Sequence, residues 1–147
     1  MPDIVHGLGI KADVPQVYNA LATLKGLSGW WTDDTTGNED AGGVIHFRFA
    51  TRGFVDMKVI ARDPDKRVAW EVVNGPDSWS GTKVSFDLKR DDDFTRVLFK
   101  HEGWKEQNDF MHHCSTKWGT FLMSLKSFVE TGKGAAFPND VHIGRND

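Results

Sequence analysis

A single cysteine among 147 residues leaves the chain no internal disulfide, so burial alone has to hold its fold. That is within reach, because a chain of this length buries roughly 68–70% of its unfolded surface as one domain. No stretch approaches the ~18 consecutive apolar residues of a membrane-spanning helix, and Met1-Pro2-Asp3-Ile4-Val5-His6 has no basic flank ahead of an apolar run. A cytoplasmic chain without a secretory signal or a membrane span is the expectation. Charge of one sign is also scarce. With 18 Lys and Arg against 21 Asp and Glu the net charge is −3, and no basic cluster supplies the footprint of nucleic acid.

Ligating and phosphate-cradling patterns are missing too. His112, His113 and Cys114 occupy adjacent positions that diverge by about 100° on a helix, so they cannot close on one ion, and His101 with one of them leaves the set short. Asp91-Asp92-Asp93 lacks the spacing and the bidentate Glu of a calcium loop. Gly132-x-Gly134 has no following Lys-Ser/Thr and trails a helix instead of opening one. No metal and no cofactor is expected.

What the chain has in quantity is aromatic and apolar residues at regular steps. Phe110, Met111, Cys114, Trp118, Phe121, Leu122, Leu125, Phe128 and Val129 recur every three or four residues, which predicts one amphipathic helix from about Gln107 to Thr131, closed by Gly132. Cys114 on that face reads as a small buried hydrophobe. Near the start, Ile4, His6, Leu8 and Ile10 alternate as one face of a strand. Asp13 with Gln16 three residues on, and Pro15 in the first turn, open a helix to about Thr23, and a second short helix follows from about Leu24 to Trp31. Residues 33–43 form a polar loop. Period-two rows then mark five strands, at about 44–50, 55–62, 67–73, 82–90 and 95–102, joined by short turns that argue for an antiparallel meander. The implied architecture is α+β: a curved antiparallel sheet of about six strands wrapped around the long helix, with two short helices after the first strand. Residues 1–132 make a single domain, and residues 133–147 a loosely attached tail.

The inward rows and the helix face nominate a ligand-lining set: Trp30, Phe47, Phe49, Met57, Trp70, Phe86, Phe99, His101, Met111, Trp118 and Leu122. Residues of these types also build an ordinary core. His6 and His101, on the first and last strands, would be neighbours facing inward and are the candidate polar anchors. Gly119 in the helix permits either a close approach of the sheet or nothing beyond tolerance. Met57, Met111 and Met123 would add an adaptable wall. Trp79 and Trp104, at element edges, frame either a pocket entrance or a partner surface. Arg48, Arg52 and Lys58 suit either a carboxylate head group or a solvated face.

Several segments sharpen the reading: Val14-Pro15-Gln16-Val17-Tyr18-Asn19-Ala20-Leu21 followed by Trp30-Trp31, then Gly42-Gly43, Asp65-Lys66-Arg67-Val68 before Trp70, Thr95-x-Val97-x-Phe99-x-His101-x-Gly103-Trp104, and Cys114-x3-Trp118-x6-Leu125-Lys126. In this order they resemble the helix-grip fold of the START/Bet v 1-like (SRPBCC) superfamily, in the branch related to the activator of Hsp90 ATPase. The resemblance, from about Ile4 to Gly134, implies a small apolar, lipid-like or polyketide-like aromatic molecule held between sheet and long helix. It leaves two alternatives: a cyclase or dehydratase using the same cavity, with His101 as general base, or a chaperone-binding interaction module. Edge strands and exposed indoles leave a homodimer open.

Overall fold

A computed structural model describes residues 1–145 and 147 of the chain. Strand β1 (Ile4–Ile10) leads into helices α1 (Val14–Ala22) and α2 (Leu24–Trp30). Six further strands follow: β2 (Asp34–Gly37), β3 (Val44–Arg48), β4 (Phe54–Asp63), β5 (Arg67–Asn74), β6 (Lys83–Asp91) and β7 (Phe94–Glu102). The long helix α3 (Asp109–Thr131) comes last among the regular elements. The strands form one antiparallel sheet in the order β1-β7-β6-β5-β4-β3-β2, the helix-grip arrangement. No helix among the described residues is long and apolar enough to cross a membrane.

The seventh strand, β2, lies in the stretch expected to be a polar loop. Its alternation is carried by threonine instead of aliphatic residues: Thr35 turns inward and is buried while Asp34 and Thr36 face out, and Thr35 Oγ1 donates to the Thr32 carbonyl at 2.7 Å. Glu39 in the same stretch accepts from Leu24 N at 2.9 Å and pairs with Arg62 at 3.3 Å. The α1 capping box also fails to form. Asp13 has the extended N-cap backbone, but its side chain makes no capping bond.

Alternation elsewhere resolves as the period-two pattern requires. In β7, Thr95, Val97, Phe99 and His101 are buried and Leu98 faces out. Residues from the sheet and α2 then fill the space under α3 with rings: Trp31 stands 4.3 Å from Phe47, 4.9 Å from Trp118 and 6.1 Å from Trp70, and Phe86 lies 5.3 Å from both Trp70 and Phe99. Rings in contact at these distances form the aromatic core between the sheet and α3.

Helix α3 is bound along the exposed edge of β1. His6 Nε2 lies 3.1 Å from the Ser115 carbonyl, Lys126 Nζ donates to the Gly9 carbonyl at 2.6 Å, and Lys11 N donates to Glu130 at 2.7 Å. The last segment, expected to hang loosely, turns back instead. Phe137 pairs with Thr32 and is buried, Ser124 Oγ accepts from Ala135 N at 2.7 Å, and Asp140 is buried beside α3.

Candidate functional site

A cleft of about 320 Å³ opens at one end of the grip. One wall is the N-terminal half of α3, with Phe110, Cys114, Lys117, Trp118 and Phe121. Facing it are the β3–β4 hairpin with Phe49, Arg52 and Phe54, and the β5–β6 turn with Pro76 and Trp79. The returning C-terminal segment closes the remaining side with Phe137, Asp140 and Asp147.

Of the eleven residues nominated from sequence, Phe49 and Trp118 line this cleft. Trp30, Phe47, Met57, Trp70, Phe86 and Phe99 are fully buried among one another and the sheet, and Met111 and Leu122 are buried on the helix face. Met123, expected in an adaptable wall, is 57% exposed on the outer side of α3. A Cβ on Gly119 would meet nothing within 4 Å, so that glycine serves no close approach. Trp104, expected at an exposed edge, is buried, whereas Trp79 is half-buried and lines the cleft. Arg48 lies on the outer face, paired with Asp56 at 2.7 Å, and of the three weighed cations only Arg52 reaches the cleft.

The two histidines do not converge. The register sets Ile4 opposite His101 and His6 opposite Phe99, so the Phe99 ring stands beside His6 at 6.1 Å. His101 is held from both sides. Trp118 Nε1–H donates to its Nδ1 at 3.1 Å, which places the ring proton on Nε2 facing Thr82 Oγ1 at 2.8 Å; the Thr82 hydroxyl in turn donates to the Trp79 carbonyl at 2.5 Å. Burial lowers its pKa from 6.5 to about 3, so the ring stays neutral. Both ring nitrogens of His101 are engaged within the protein and the residue is not on the cleft wall, so it ties β7 to α3 and to Thr82.

Burial likewise pushes the Cys114 thiol up to about 11, an effect the Trp79 indole partly offsets, so the group is held in its thiol form. The charged end of the cleft is built around Lys117. Its ammonium donates to Asp140 Oδ2 at 2.6 Å, to the Val141 carbonyl at 2.6 Å and to Asp147 Oδ2 at 2.9 Å, and it lies 5.4 Å over the Phe121 ring. Burial raises the Asp147 carboxyl, but the N–H groups of Ile143 and Gly144 and the Lys117 ammonium outweigh it and hold the carboxyl below its usual range. Arg52 pairs with Asp140 at 3.7 Å and donates to the Asp147 main-chain oxygen. Nothing in the sequence pattern announced Phe137, Asp140 or Asp147, because the tail has no periodicity. Lys117 and Phe121 did carry a trace, four residues apart on one helix.

Residues 11–130 match the family described as Activator of Hsp90 ATPase homolog 1-like protein. The chain belongs to this family. Among solved structures, the Aha1 dimer from Colwellia psychrerythraea is 46% identical, covers 91% of this chain and 100% of its own, and superposes with a TM-score of 0.83. SSP2350 from Staphylococcus saprophyticus shares the fold at 15% identity, with 92% and 97% of the two chains covered and a TM-score of 0.75. DynU16, from a dynemicin biosynthetic locus, shares it at 18% identity and a TM-score of 0.74, with 95% of this chain spanning 49% of that one. Among curated proteins nothing matches the chain at this level of similarity. The family match ends at Glu130, so the hairpin and helix walls of the cleft lie within it and the C-terminal wall lies outside.

Proposed function

We propose that the chain binds a small apolar or aromatic molecule in the end cleft, with a flat ring seated against Trp79, Trp118 and Phe121. The observation that carries this reading is an aromatic cleft of about 320 Å³ beside a core that is otherwise filled, at the lower end of the volumes that hold small ligands. Phe54 and Phe110 stand at its rim, each 41% exposed, where a guest would cover them. Burying ~200 Å² of a guest's apolar surface contributes about 5 kcal/mol before ordering costs, so micromolar affinity requires stacking and a polar contact as well. Carriage fits better than turnover: His101 is closed off, Cys114 stays a thiol, and Lys117 is fully engaged.

Titration with N-phenyl-1-naphthylamine, followed by tryptophan quenching, tests the reading. Saturable micromolar binding, weakened about fivefold by Phe110→Ser at the exposed rim, supports it. Linear, unsaturable quenching in both proteins would overturn it.

A second reading, a homodimeric module that docks on an Hsp90-type chaperone, draws on the 46% identity to the Colwellia Aha1 dimer and on the family description. A doubled mass in light scattering and stimulation of a chaperone ATPase would favour it.

A further inference from the structure

The counter-charges at the cleft come from two different parts of the chain. Lys117 and Arg52 lie inside the stretch that matches the family, residues 11–130, while Asp140 and Asp147, which neutralise them, lie beyond it. Without those carboxylates an aromatic cleft would carry two cations at its mouth. The segment that supplies them also supplies a ring: Phe137 is buried against Phe49 at 5.5 Å, with Arg52 5.2 Å over its face. An aromatic body with a carboxylate a few ångströms away is the chemistry of an amphipathic anion.

We propose that the cleft takes an amphipathic anion, an aromatic body bearing one carboxylate or sulfonate paired with Lys117 and Arg52, and that Phe137, Asp140 and Asp147 hold its place by imitating it. The inference rests on the cleft being the binding site. Asp140 indicates that the imitation is imperfect. Its side chain is 1% exposed, yet Oδ1 has no hydrogen-bond partner among the described residues, and a buried carboxylate oxygen left unpaired costs free energy. A ligand that satisfied both cations without burying such an oxygen would displace the segment. Phe137, which packs on Phe49 and bonds through its backbone to the Trp31 carbonyl and the Asp33 N–H, would have to leave with it.

Two probes with one body separate the anionic contribution from the apolar one. 1-Anilinonaphthalene-8-sulfonate and N-phenyl-1-naphthylamine share the phenyl-naphthylamine frame and differ by the sulfonate. In the full chain, the sulfonate is expected to bind about tenfold tighter than the neutral probe, and Lys117→Gln to bring the ratio of the two affinities, measured within that variant, close to one. The double variant Asp140→Asn/Asp147→Asn, which removes the competing carboxylates, is expected to raise the preference further. Amide resonances of residues 137–145 should shift on addition of the sulfonate. Should Lys117→Gln fail to fold by circular dichroism, Arg52→Gln on the exposed hairpin gives the same comparison. Equal affinities for the two probes, or a preference unchanged by either cation variant, would overturn the inference while the cleft reading stands. Failure of both probes to bind the parent and the double variant overturns both.

Discussion

Trp118 donates its indole N–H to Nδ1 of His101 at 3.1 Å, tying the middle of α3 to the end of β7 from within the core. Replacing the indole by a phenyl ring keeps most of the apolar bulk but strands a buried ring acceptor. Trp118→Phe should therefore lower stability by about 1–3 kcal/mol, read from the urea midpoint at pH 7.5. A loss below about 0.5 kcal/mol would mean that the bond contributes little.

The same clamp sets a pH dependence. Because burial lowers the His101 pKa from 6.5 to about 3, the unfolded chain takes up a proton that the folded chain refuses. Stability is full above pH 6.5 and falls by up to about 1.4 kcal/mol per pH unit as the pH drops toward 3. The carboxylates held low, Asp56, Glu130 and Asp147, add their own losses only below their ordinary range near 4. Urea midpoints between pH 6.5 and 5 should thus fall in the parent and flatten in His101→Gln. Identical slopes in the two proteins would remove His101 from the account.

Cys114 should be inert in the folded chain. With its pKa near 11, about one thiol in a thousand is ionised at pH 8, and the group lies buried against Trp79. Its reaction with a disulfide reagent should be at least about a hundredfold slower in buffer than in 6 M urea. A native rate close to that of free cysteine would contradict the burial of the cleft wall.

Much of the fold was legible in the sequence because period-two and period-3.6 patterns report which face is buried. The five central strands and α3 followed from that signal, whereas the start of α1 was read from Asp13, Gln16 and Pro15, of which the proline in the first turn holds and the capping box does not. Strand β2 did not, since Thr35 is its single inward residue and four residues give periodicity little to act on. The site was less legible for a related reason. Pattern identifies inward residues, but Trp30, Phe47, Trp70, Phe86 and Phe99 fill the interior by ring packing that one-dimensional spacing does not encode. The cleft depends on where the hairpin, the β5–β6 turn and an aperiodic tail meet α3. Phe49 and Trp118 were found because they belong to regular rows; Phe137, Asp140 and Asp147 belong to none.

The account places the binding site at the end of the grip, not in its middle, and the six indoles test that placement directly. Trp31, Trp79 and Trp118 line the cleft, while Trp30 and Trp70 lie in the filled core. In a ¹⁵N-correlated spectrum recorded during titration with N-phenyl-1-naphthylamine, the indole cross-peaks of Trp79 and Trp118 should move progressively while those of Trp30 and Trp70 stay within the line width. Large, saturable shifts at Trp30 and Trp70 with Trp79 unmoved would put the ligand between sheet and helix and contradict the account.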